Sequence, residues 1–445
     1  MAVTGTERRW LLDMTPYQWT VLFAAWLGWG FDVFDGLLFN FVAPSCVPVL
    51  LGIPLGTPEA RSATLLWTGV LSSVLLLGWA VGGIVFGRVA DRLGRTRTLL
   101  LTMLLYSLGT AACAAAPNIW VLLACRIVAS LGIGGEWAAG ASMVAEVVPE
   151  NRRVEAGALL YTSAPVGLFL ATQVTWFVQG YALPGDPEWS WRIVFLTGLV
   201  PAAVALAVRW FVEEPERWKA VSTTSAPTLA DLFTPAVRWR TLSGLGTAVV
   251  ALVMWWSCNA FIPVVANGLA EVEAHARGLE PAATTALKES WKALSTNAFN
   301  LGGLIGTLLT VPISNWFGRR TMFGVYFALS AVAIFAAFVP PLSPEVRLWM
   351  YFPIGLTVFG VFGSFTYYLP ELFPTRLRGT GAGFCYNAGR IVAACGPFLV
   401  GGIASRGADA LGTALTLLGW VAVAPLLGLG FLPWVIETRG QPLQD

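Results

Sequence analysis

The chain has 445 residues, 56% hydrophobic and only 12% charged, with a formal net charge of +2 and a mean hydropathy of +0.69. Soluble domains carry about 25% charged residues, and a soluble chain of this length would divide into two or three domains whose polar surfaces this composition cannot supply. An ordinary soluble enzyme and a disordered regulator are excluded, and so small a net charge argues against nucleic acid as a partner. The six cysteines form no CxxC pair and the single histidine, His275, stands in a polar stretch. Neither a disulfide framework, a metal site nor a cofactor is expected.

A bilayer is crossed by a helix of about 20 apolar residues, and backbone groups in lipid must be paired within that helix. Twelve such spans are predicted, roughly at 18–43, 63–87, 98–116, 119–146, 155–181, 191–211, 240–266, 291–314, 321–341, 346–370, 379–403 and 410–435. The first is no cleaved signal: it is too long, holds two aspartates and lacks a small-residue cleavage site. With twelve spans both termini share one side. The segments on that side carry 18 of the 27 Lys and Arg. The opposite loops carry seven (Arg61, Arg192, Arg277, Lys288, Lys292, Arg347 and Arg406), and Arg126 and Arg390 lie inside spans. The positive-inside rule puts both termini in the cytoplasm of a cell whose plasma (inner) membrane holds the protein.

The chain repeats itself. Asp91, Gly94 and Arg95 in GRVADRLGRTR recur as Asn315, Gly318 and Arg319 at an offset of 224. Glu146, Pro149 and Arg153 in EVVPENRR recur as Glu371, Pro374 and Arg378 in ELFPTRLR at 225, and Glu214 in EEPERW recurs as Glu437 in IETRGQ at 223. Such repeats imply two six-helix halves about an axis along the membrane normal. They divide the chain into 1–212, a polar cytoplasmic linker 213–238, and 239–445.

On these motifs the chain resembles the major facilitator superfamily over nearly its whole length. DRLGR matches the signature loop between spans 2 and 3, and EEPERW and IETRG resemble elements of sugar porters and organic-ion transporters. RIVASLGIGGEWAAG, from Arg126 to Gly140, is most similar to the proton-coupled organic-acid branches, which carry sialate and lactate, aromatic acids or metabolites. The resemblance implies an all-α membrane protein with the major facilitator fold. It also implies alternating access, a monomer in the bilayer, and no cofactor beyond the proton as coupling ion.

Ionisable groups at bilayer depth cost several kcal/mol and are functional candidates. Asp32 and Asp35 in GWGFDVFDG sit three residues apart, hence on one helix face. Asp35 and Arg126 both lie on the order of 10–13 Å from the outer side, where they can pair. The resemblance carries proton coupling to Arg126 and to one of the two aspartates without deciding which; the alternative is a static pair that fixes packing. Glu136 follows Gly132, Gly134 and Gly135, glycines that suit close helix packing; it is either a proton relay or part of the cytoplasmic charge network.

Arg390, with Asn387 beside it in YNAGRIVAACGP, falls near the midplane, where a guanidinium can hold a carboxylate by two parallel hydrogen bonds. No acid in spans 8, 9, 11 or the core of 10 stands ready to neutralise it. Either the substrate is its partner, or backbone carbonyls or a span-1 aspartate satisfy it. Trp255, Trp256 and Asn259 occupy the span-7 positions that the repeat pairs with Asp32 and Asp35. These three, with Asn297 and Asn300 on one face of span 8, Tyr161 and Gln173 in span 5, and Tyr367 in span 10, either line the cavity or glue helices together.

The resemblance makes Asp91, Arg95, Glu146, Arg153 and Glu214 of the first half, with Arg319, Glu371, Arg378 and Glu437 of the second, a salt-bridged gate that holds the cytoplasmic side shut. The function these readings favour is proton-coupled symport of a small organic anion, a carboxylate. A proton-driven drug or metabolite exporter is the first alternative, disfavoured because YTSAPVGLF lacks the glycine-rich span-5 run of exporters. A sugar or polyol porter is the second, disfavoured because a midplane arginine suits an anion. No phosphate-binding loop, metal cluster or histidine-based triad supports an enzyme.

Overall fold

The structure is a computed structural model that describes residues 14–93, 95–148, 153–208 and 228–441, with side chains described at these positions except 87, 88, 90–92, 95, 96, 135–143, 145, 146, 153, 205–208 and 375. The described residues build twelve helical rods. The first four are α1 (Pro16–Leu51), α2 (Pro58–Leu93), α3 (Arg95–Cys113) and α4 (Ile119–Val147). Rod α5 joins Arg153–Tyr161 and Ser163–Phe177 and ends in a π-turn at Val178–Ala182; α6 joins Pro187–Leu196 and Leu199–Val208. In the second half α7 joins Arg238–Asn259 and Ile262–Ala276, followed by α8 (Pro281–Phe317) and α9 (Arg319–Phe338). Rod α10 runs from Pro344–Trp349 to Phe365–Glu371, α11 joins Arg378–Ala393 and Cys395–Ala404, and α12 joins Ala410–Trp420 and Val423–Phe431. Eight of the rods have a window long and apolar enough to cross a membrane, and shorter apolar stretches lie in α3 and α4.

Local chemistry sets the ends. Thr15 and Gln18 form a capping box at the start of α1 with Pro16 in its first turn, and Gly52 closes the helix with φ 68°. Arg192 donates to the carbonyls of Ala114 and Ala116, and Arg347 to those of Ala337 and Phe338, so cations cap the ends of α3 and α9. Tight packing uses glycine: Gly302 and Gly306 of α8 lie against the backbone of α10 at Phe352 and Leu356. There α10 leaves α-geometry through a π-turn at Gly355–Phe359 and a 3₁₀ turn at Gly360–Ser364. Irregular backbone at membrane depth is tolerated because protein covers it.

Several rods outrun the predicted spans. α1 continues to Leu51 through Pro44 and Pro48, α7 reaches Ala276, and α8 starts at Pro281. Lys288 and Lys292 are therefore helical residues of α8 and not loop residues, and Lys292 is only 3% exposed. The apolar stretch ends where charge begins, but Ala, Leu, Lys and Glu keep the helix going.

Candidate functional site

Groups from α1, α2, α5 and α11 surround the guanidinium of Arg390, which α11 holds 3% exposed. Two aromatic rings lie against it, with Cζ 4.3 Å from the centroid of Trp79 on α2 and 4.5 Å from that of Tyr386, one turn earlier on α11. Nη1 donates to Asn387 Oδ1 at 2.7 Å, and Nε is buried with no protein acceptor. The arginine thus has two rings against it, one corner pinned and Nε left for a further acceptor. The pin depends on α2: a Cβ on Gly83 would come 2.8 Å from Asn387 Nδ2, so only glycine at 83 leaves room for that amide.

Further rings extend the clamp. Trp79 meets Trp256 edge-on with centroids 5.8 Å apart, and Trp256 meets Trp255 at 4.7 Å. Trp255 leans on Phe359 of α10 at 5.5 Å. From the other side Tyr161 meets Trp29 of α1 at 5.0 Å and stacks on Phe362 of α10 at 6.0 Å. Tyr386 lies within hydrogen-bonding reach of Tyr161 and Arg390. Unpaired buried polar atoms cost about 1–3 kcal/mol each. Here they include Trp79 Nε1, Trp255 Nε1, Asn297 Oδ1 and both amide atoms of Asn300, groups suited to a polar ligand or to water.

The two aspartates of α1 are both buried but have different surroundings. Asp32 acts electrostatically on Arg390, across the two halves. Asp35 faces into the first half, where a Cβ on Gly198 of α6 would fall 2.7 Å from its Oδ1 and 2.8 Å from Thr110 of α3. Arg126 donates from Nη1 to the Asp35 carbonyl at 3.2 Å and from Nη2 to the Gly36 carbonyl, so it grips the main chain of α1 beside Asp35. The spacing put both carboxylates on one face, but an offset of three residues still rotates the second by about 60°. That rotation turns Asp35 away from the centre.

Asn259 is buried at the end of the first α7 segment, and Gln173 is half-buried on α5, outside the ring cluster. Tyr367 is not at the centre. Its hydroxyl bonds Ser314 at 2.7 Å and Arg319 lies over its ring at 5.6 Å, which places it in a charged network on the face where the described chain ends. There Arg319 pairs with Glu371 through Nε (3.0 Å) and Nη2 (2.7 Å), and Thr438 donates to the same carboxylate at 2.6 Å. Glu437 accepts from the backbone N–H of Arg319, Arg320 and Arg439 at 2.9, 3.0 and 2.9 Å. Burial alone would raise the Glu437 pKa, but these three donors and the Arg319 charge hold it below the usual carboxylate range. Arg378 opens α11, half-buried. The described bonds of Arg319, Glu371 and Glu437 join parts of the second half and brace it. Glu214 lies outside the described residues, and so do the side chains of Asp91, Arg95, Glu136, Glu146 and Arg153.

Trp29, Trp79, Phe359, Phe362 and Tyr386 belong to the centre and were not singled out from sequence. Tyr386 had a signal, since it stands one helical turn before Arg390. The others are aromatic residues in apolar spans, indistinguishable there from lipid-facing ones.

A profile described as Major Facilitator Superfamily matches residues 19–397. A probable 4-methylmuconolactone transporter of Cupriavidus pinatubonensis is 28% identical, covering 98% of this chain and 94% of its own length. The sialic acid transporter NanX of Escherichia coli is 27% identical over 88% of each chain. The crystal structure of a D-xylose-proton symporter superposes with a TM-score of 0.71 at 18% identity, covering 96% of this chain and 100% of that one.

Proposed function

The chain belongs to the major facilitator superfamily, and from that premise we propose that it carries a small organic anion together with a proton by alternating access. The observation that carries the reading is a buried arginine against two aromatic rings, with the buried carboxyl of Asp32 in its electrostatic field. With Asp32 ionised the centre is balanced. A carboxylate bound to the free edge of Arg390 adds one negative charge in a low-dielectric site, and protonating Asp32 restores neutrality. Anion and proton thereby enter as a pair, one for one. Asp35 with Arg126 sits one turn away and supports the same helix.

The lining selects within the anions. A clamp of Trp, Tyr and Phe with few polar atoms suits a flat carboxylate with an apolar body, and a polyhydroxylated acid would leave most of its hydroxyls without partners. Names of relatives that include a muconolactone and a sialic acid transporter are compatible with the class of small organic acids. The distribution of Lys and Arg supports both termini on the cytoplasmic side, and the protein is proposed to work as a monomer in a plasma (inner) membrane.

The test is uptake of labelled aromatic carboxylate into proteoliposomes. Wild type should concentrate the anion when the outside is acidified. Asp32→Asn should keep anion exchange but lose accumulation, because its site cannot release a proton. If Asp32→Asn still accumulates anion on a pH gradient, the coupling assignment fails.

A further inference from the structure

Among the described residues, charged contacts between the halves stand on the face opposite the described chain end. A vestibule of about 600 Å³ opens there among α1, α2, α5, α7 and α8. Arg61 at the start of α2 reaches across it to Glu271 on the second segment of α7, with Nη2 2.8 Å from Oε2. The other oxygen of Glu271 takes Lys288 of α8 at 2.8 Å. Deeper down, Lys292 of α8 pairs with Glu289 at 2.6 Å. The same ammonium donates to the Phe41 carbonyl on α1 and to Gln179 Oε1 on α5, each at 3.2 Å. Gln179 in turn donates to Ser45 of α1 at 2.8 Å. The α5–α8 contact is close, since a Cβ on Gly180 would fall 3.1 Å from the Glu289 Cβ.

We propose that these two clusters, Arg61–Glu271–Lys288 and Glu289–Lys292 with Gln179 and the Phe41 carbonyl, are the lock that must open whenever the centre is exposed to this face, the outer one in the orientation given above. Each joins first-half rods (α1, α2, α5) to second-half rods (α7, α8), so moving the halves apart on this side breaks them. The described bonds of Arg319, Glu371 and Glu437 lie within one half and survive such a motion. The clusters differ in depth. Arg61 and Glu271 keep partial solvent contact and act as a screened pair. Lys292 is almost fully covered, and opening strips it of two neutral acceptors while leaving its carboxylate partner on the same helix. It can therefore break and re-form its cross-half bonds without ever becoming an isolated buried charge. No cargo enters this argument, so it stands or falls separately from the anion reading.

Hydrogen exchange read by mass spectrometry on the purified, full-length chain without substrate tests it, because exchange of the outer ends follows the open population. Arg61→Gln and Glu271→Gln should each speed exchange across 262–292 by about fivefold, the population change of a ~1 kcal/mol pair. The double variant should match Glu271→Gln and not multiply the two. The volume-conserving pair Lys292→Gln with Glu289→Gln should speed the same segment. Exchange across 428–441 should stay as in wild type. Unchanged exchange in all these variants, effects that multiply in the double variant, or an equal rise in 428–441 would each overturn the lock, the last by showing that the bonds hold the fold itself.

Discussion

Arg390→Lys separates charge from shape at the centre. The substitution keeps the positive charge and shortens nothing essential, but it replaces a planar fork with a point donor. In the wild type Arg390 Cζ lies 4.3 and 4.5 Å from two ring centroids and Nη1 is held by Asn387. A carboxylate at the remaining edge gains two parallel charge-assisted bonds, of which lysine supplies one. One such bond contributes about 1.5–3 kcal/mol, so affinity for the anion should fall roughly 10- to 150-fold. The ring contacts, about 0.5–2 kcal/mol each, are made with or without cargo and drop out of the difference, apart from letting the lysine wander. Arg390→Ala should abolish binding, since it also removes the counter-charge of Asp32. Equilibrium binding of labelled aromatic carboxylate to purified protein gives the ratio, with a thermal melt of each variant to show that it is folded. If Arg390→Lys binds within about twofold of wild type, the carboxylate does not sit on that edge.

Gly83→Ala puts a methyl group on the Asn387 amide and should unpin Arg390 from a distance: uptake should show KM raised several-fold with the maximal rate largely kept, and an unchanged KM would mean that Asn387 does not orient the arginine. For Glu437 the folded pKa lies below its unfolded value, so its contribution is full at neutral pH and is lost as pH falls through the carboxylate range. Glu437→Gln should therefore lower the melting temperature at pH 7 and flatten its decline on acidification; parallel melting curves against pH would refute the role of that carboxylate.

Much of this was legible in the chain because the bilayer imposes a strong signal. Twelve apolar runs and a repeat at about 224 residues can hardly be read otherwise, and Asp32 and Arg390 declared themselves by being ionisable at depth. The ring clamp was not legible, because Trp79 or Phe359 in an apolar run has the same appearance whether it faces lipid or cargo. The separation of Asp32 from Asp35 needed the direction of each side chain, and residue spacing gives only a shared face. Lys288 was misplaced into a loop because hydropathy marks where lipid ends, and α8 runs on past that boundary. Tyr367 was drawn to the centre by its polar tip, when Ser314 and Arg319 hold it at the rim.

The clamp on Arg390 is split between partners: the cation rides on α11 and one of its covering rings on α2. A guest that seats its carboxylate but carries a body too thick for Trp79 to settle back would prop the seam ajar. Such a compound would occupy the protein without crossing the membrane. On the proposed reading, the same indole that admits thin cargo would turn bulky look-alikes into blockers, and thickness, more than charge, would divide what is carried from what jams.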